Sequence, residues 1–204
     1  MMKRLAGASS GILFWLFFSN AVAADTGTRL NTFHDGSGKI TVSVFGARSG
    51  TQQQHWTDYA VSIDDPDMVV IGGGGMAVET PAGALLTASY PKGDWRTWLV
   101  SSKDHGIANP HYLTAYAIGL KIDGMTHDQL VEALEVKSDH SSSIEPHPLA
   151  DVDVDSNDYL LLGGGFNIIF NGAGARHGPA AIKAIKMAAK NATLFVCINT
   201  PRLS

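Results

Sequence analysis

Two short stretches of the sequence place an acid beside a base: Lys103-Asp104-His105, and His55 followed three residues later by Asp58. A carboxylate next to an imidazole is the pairing used in general acid–base catalysis, so Asp104 and His105 are the catalytic candidates if the chain is a hydrolase. Hydrolysis also needs a positioned nucleophile and oxyanion donors, and no Gly-x-Ser-x-Gly elbow is present to supply them. The single cysteine, Cys197, lies in the apolar run Leu194-Phe195-Val196-Cys197-Ile198, which reads as a strand holding an inert thiol. The histidines, among them His105, His111, His140 and His147, form no His-x-x-x-His or His-Glu-x-x-His array and read as surface residues rather than zinc ligands.

Two further groups could bind. Asp151, Asp153 and Asp155 supply the oxygen ligands that calcium prefers. The EF-hand pattern fails, however, because Ser156 stands where the loop needs glycine and Leu162 where it needs glutamate. In an extended strand the three carboxylates would line one solvated face, with Val152 and Val154 on the other. Aromatic residues concentrate between Trp56 and Tyr116, and aromatic rings beside polar side chains suit stacking on sugars. Trp95, next to the turn Lys92-Gly93-Asp94, is expected to be exposed, and with Asp94 and His105 it forms the candidate ligand site. Trp98, Tyr112 and Tyr116 are expected in the core.

The elements that position these residues follow from the rest of the chain. Residues 1–24 read as a cleavable leader, with basic Lys3 and Arg4, the apolar run Ile12 to Phe18, and the small-residue exit Ala21-Val22-Ala23-Ala24. That apolar run is far shorter than the roughly 20 residues a membrane span requires, so stable membrane insertion is not expected. The destination is then outside the cytoplasm, secreted or periplasmic. A lone cysteine allows no internal disulfide there, so packing must provide stability. The chain carries a net charge of −4, and loss of Lys3 and Arg4 makes it more acidic still, which argues against nucleic acid as a partner.

Lys39 to Phe45 and Trp56 to Ile63 alternate in polarity as half-buried strands do. A short apolar run then enters a glycine cluster twice, as Met68-Val69-Val70-Ile71-Gly72-Gly73-Gly74 and as Tyr159-Leu160-Leu161-Leu162-Gly163-Gly164-Gly165, at a constant offset of 91 residues. This self-similarity reads as a partly duplicated unit, residues 25–137 and an abridged 151–204, joined by a Ser/His/Pro-rich linker over 138–150. Glycines after a buried strand permit a bend, a bulge, or close approach of a backbone or ligand. Neither copy has the spacing of a nucleotide-binding loop. Thr126 and Gln129 have capping-box spacing and predict a short connecting helix. The Ala/Lys-rich stretch from Ala180 to Lys190, with Pro179 ahead of it, predicts a C-terminal helix.

The fold class expected is therefore mainly β, in antiparallel sheets or a sandwich. Gly72-Gly73-Gly74, Leu86-Thr87-Ala88-Ser89-Tyr90-Pro91, Trp98 and Thr114-Ala115-Tyr116-Ala117-Ile118 resemble an uncharacterised class of secreted, surface-associated bacterial repeat modules. The resemblance implies a β-rich exported module and no activity. The functional expectation is a non-enzymatic protein that binds a surface component or glycan through loops of the first unit. It needs no cofactor except, at most, calcium. The alternatives are a hydrolase with a dispersed site, or a structural or toxin-like protein that oligomerises through strand edges.

Overall fold

The structure, a computed structural model, describes residues 24–78, 84–104, 106–140, 150–153, 159–170 and 177–188. The elements run β1 (Asp25–Thr26), β2 (Thr28–His34), β3 (Ile40–Arg48), β4 (His55–Ser62), β5 (Val69–Val78), β6 (Ala84–Pro91), β7 (Thr97–Asp104) and β8 (Tyr112–Ile122). Then come α1 (His127–Ala133), β9 (Leu134–His140), β10 (Tyr159–Phe170) and β11 (His177–Ala188). The chain is mainly β, as its alternating segments imply. The strands form a four-stranded sheet ordered β2-β3-β8-β5 and a seven-stranded sheet ordered β1-β4-β7-β6-β10-β11-β9. Of the predicted leader, residues 1–24, all but Ala24 lie outside the described residues.

One core lies between the sheets. Phe45, Val70, Leu113, Ala115 and Ala117 of the smaller sheet meet Tyr59, Val61, Trp98 and Val100 of the larger one. Period-two alternation puts the neighbours of these residues on the opposite face of the smaller sheet. At one end of that face Val69, Ile71 and Leu120 form a second cluster with Leu130 of α1. The helix starts where its capping box predicts: Thr126 accepts from the Gln129 N–H, and the Gln129 side chain accepts from the Thr126 N–H.

The first glycine cluster is not a hinge. β5 runs through it as one strand, and none of its glycines has a positive φ. Gly73 and Gly75 face the core, where a Cβ on Gly73 would collide with the Tyr116 carbonyl and stand 2.5 Å from Trp98 Cγ. A Cβ on Gly75 would collide with Val100 Cγ1. The two sheets thus approach more closely here than any side chain on β5 would allow.

The second cluster lets β10 cross close to two other strands. A Cβ on Gly163 would strike the Ile71 carbonyl, and one on Gly165 would lie 2.5 Å from Ser89 O. β10 joins β6 through Phe166 opposite Ser89 and Asn167 opposite Ala88, so the second glycine run extends the sheet formed by β1, β4, β7 and β6. Matched positions behave alike: the β5–β8 register skips Ile71 and the β10–β11 register skips Leu162, each a local bulge. Both residues pack into the same second cluster.

One sequence expectation is corrected here. The predicted C-terminal helix is β11, paired with β10 on one side and β9 on the other; residues 189–190 lie outside the described residues. An isolated Ala/Lys segment of this length has only marginal helicity, and two flanking strands satisfy its backbone groups instead. Of the stretch read as a linker, Ser138–His140 belong to β9, and residues 141–149 lie outside the described residues.

If sheet approach depends on the missing Cβ atoms, Gly73→Val should cost about 3 kcal/mol by overpacking against Trp98. Urea denaturation of the purified variant measures this.

Candidate functional site

The predicted ligand residues at the β6–β7 turn are occupied by the turn itself. Asp94 accepts from the Arg96 N–H at 2.9 Å, from the Thr97 N–H at 3.0 Å and from the Thr97 hydroxyl at 3.0 Å. Lys92 Nζ stands 3.5 Å away. Burial pushes the Asp94 carboxyl up, but these donors outweigh it and hold it below the usual carboxylate range. Trp95 is half-buried rather than exposed, with its side chain packed against both hydrophobic clusters. Its φ of 55° is unusual for so bulky a residue. The conformation is held because its carbonyl accepts the Val70 N–H of β5 at 2.7 Å while the ring fills space between the clusters. Trp95 therefore pins the turn to the core.

The catalytic candidates lie elsewhere. Asp104 ends β7, roughly 23 Å along the strand from Thr97 at ~3.3 Å per residue, so Asp94 and Asp104 serve different ends of the sheet. His105 lies outside the described residues. Asp104 Oδ1 is 3.7 Å from Nδ1 of His55, which joins one residue from each acid–base stretch found in the sequence.

A hydroxyl–imidazole pair that sequence reading missed lies nearby, in the interior. His111 is fully buried, contrary to its reading as a surface histidine, and Ser102 is only 2% exposed. The Asn109 carbonyl, 2.8 Å from His111 Nδ1, can only accept, so Nδ1 carries the proton. Nε2 then accepts from the Ser102 hydroxyl at 2.7 Å. This is a base–nucleophile arrangement closed to solvent. Trp56 Nε1 also donates to the His111 carbonyl at 3.0 Å, so the group anchors the segment before β8. No spacing motif could have revealed it, since Ser102 and His111 meet only across the fold.

A second network crosses β4, β6 and β7. Asp58 Oδ1 accepts from the Tyr90 hydroxyl at 2.9 Å and the Ser101 hydroxyl at 3.2 Å. The Asp58 backbone has φ 52° at the irregularity in the β4–β7 ladder. Burial, reinforced by Asp58, pushes the Tyr90 phenol up to about 12. Burial and then Asp25, which accepts the Tyr59 hydroxyl at 2.6 Å, raise the Tyr59 phenol as well.

A candidate ligand surface is the outer face of the four-stranded sheet, beyond the part that α1 covers. One cross-strand row there is Gly46, Tyr116 and Gly74, and the next is Arg48, Thr114 and Met76. Tyr112 and Tyr116, expected in the core, are half-buried on this face, because the inward positions of β8 are Leu113, Ala115 and Ala117. The Tyr116 ring leans over Gly46, where a Cβ would be 3.3 Å from its Cδ1 and Cε1. On the other side of Tyr116, a Cβ on Gly74 would meet nothing within 4 Å. Met76 and Leu30 beside this row are 49% and 55% exposed. The Arg48 guanidinium carbon lies 4.4 Å from the Tyr112 ring centroid, a cation–π contact.

The proposed calcium ligands Asp151 and Asp153 are exposed, with Val152 half-buried between them, and Asp155 lies outside the described residues. Among the described residues no cluster of three or more His, Cys, Asp or Glu could hold a metal. Among the same residues no helix is long and apolar enough to cross a membrane.

Removing the Trp95 side chain should cost about 3 kcal/mol, read as a lower urea midpoint, whereas a purely ligand-binding role would leave stability unchanged. A phenol whose ionisation is raised by folding adds stability in full below pH 10, and that contribution fades as pH rises towards 12. Tyr90→Phe should accordingly flatten the fall in stability across that window in alkaline unfolding curves. Compared with family models, curated proteins and solved structures, the chain matches none.

Proposed function

We propose that this chain is a non-enzymatic protein of the extracytoplasmic space that binds a glycan or similar surface component on the outer face of its four-stranded sheet. The observation that carries the reading is Gly74. A glycine inside a strand costs roughly 0.5–1 kcal/mol relative to alanine, and it persists where a bend, a positive φ or a close approach requires it. Gly74 has no positive φ and no neighbour that a Cβ would touch. What it leaves open is the surface beside the Tyr116 ring, the arrangement on which a flat sugar face stacks. The leader-like N-terminal pattern supports export, and the sealing of Ser102 and His111 speaks against a hydrolytic role for that pair.

A specific observation also supports assembly through strand edges. β2 is an outer strand of its sheet, and Leu30 and Phe33 on it are each 55% exposed. Concentration-dependent sedimentation of the purified chain tests that reading directly.

For the glycan reading, Gly74→Val is the discriminating variant. A Cβ there meets nothing within 4 Å and valine suits a strand, so thermal stability should hold or rise slightly. Retention on a glycan array or on whole cells should fall at least tenfold. Unchanged retention by a folded Gly74→Val protein would remove the outer face from consideration.

A further inference from the structure

Resting on that reading of the outer face, we infer that its ligand is an acidic glycan, with an oxyanion on one sugar held by Arg48 and a neighbouring sugar stacked on Tyr116. Arg48 lies opposite Thr114 in the β3–β8 ladder, so Tyr112 and Tyr116 are its two diagonal neighbours. The guanidinium leans onto Tyr112, and the Tyr116 ring lies one sheet row away on the other side. The two tyrosines are four residues apart on one strand, roughly 13 Å at ~3.3 Å per residue, a span that a short run of linked sugars bridges.

The local charge fits an anion although the whole chain is acidic. Every position of β3, β5 and β8 in the two rows through Tyr116 and Thr114 is uncharged except Arg48. The basic residues on the inner face of the same sheet are already paired with acids, Arg29 with Asp64 at 2.9 Å and Lys121 with Asp67 at 2.8 Å. Arg29 also stacks, on Phe45, whereas Arg48 stacks on Tyr112 without an acid partner among the described residues. Stacking holds the planar group in place and leaves its N–H edges available, so binding an oxyanion through two parallel hydrogen bonds orders little that is not already ordered. Carboxylate and sulfate share that geometry.

Isothermal titration with alginate oligomers, dextran sulfate oligomers and neutral dextran oligomers separates the possibilities. Alginate or dextran sulfate should bind at least tenfold more tightly than dextran, and whichever binds tighter identifies the oxyanion. Arg48→Gln should abolish that preference, Arg48→Lys should restore part of it, and added salt should weaken binding to the wild-type protein more than to Arg48→Gln. Thermal unfolding checks that each variant is folded. Equal affinity for acidic and neutral oligomers, or an acidic preference that survives Arg48→Gln, overturns the inference and leaves the stacking surface in place. Failure of all three oligomers to bind overturns the inference and counts against the glycan reading beneath it.

Discussion

The structure depends on how closely its two sheets approach at β5. Trp98 and Val100 occupy the space that side chains at positions 73 and 75 would take, so the core closes only because both positions are glycine. Close packing of this kind transmits any added methyl group to the neighbouring strands. The same device is used again at β10, where Gly163 and Gly165 allow the strand to pass against the backbones of β5 and β6. Through that crossing the seven-stranded sheet reaches β9 and β11, and Leu162 joins Ile71 in the cluster beneath α1.

Within this frame the groups that look reactive in the sequence are largely committed to structure. Asp94 holds the β6–β7 turn, Asp58 gathers two hydroxyls across three strands, and His111 is fixed between Ser102 and a backbone carbonyl. Each satisfies polar groups that burial would otherwise leave unpaired, at a cost of about 1–3 kcal/mol apiece. Gly74, Tyr116, Met76 and Arg48 are different: they sit on an outer surface, and no described packing requirement explains the open position at Gly74. The proposed function accordingly lies on a sheet face rather than on the loops that the sequence first pointed to.

Much of the fold was legible because it rests on short-range rules. Alternation located β3 and β4, turn residues separated β6 from β7, and Thr126 with Gln129 located the start of α1. β2 escaped notice because Thr28 to His34 is mostly polar and exposed, so it lacks a buried stripe and is defined by pairing with β3. β11 was misread because Ala and Lys favour helices locally while its pairing partners are distant in sequence. The candidate site was less legible still. Which face Tyr112 and Tyr116 occupy depends on the parity of β8 relative to Leu113, and the role of Trp95 depends on two clusters built from strands far from it in the chain.

The central claim is that the outer face around Gly74 and Tyr116, and not the β6–β7 turn or the buried histidine, meets the ligand. The most direct measurement is a backbone-amide NMR titration of the full chain with alginate oligomers. The account predicts shifts concentrated at Gly46, Arg48, Gly74, Met76, Thr114 and Tyr116, with Lys92 to Arg96 and Asn109 to His111 unmoved. Saturable shifts centred on either of those two segments, with the outer face silent, would contradict it.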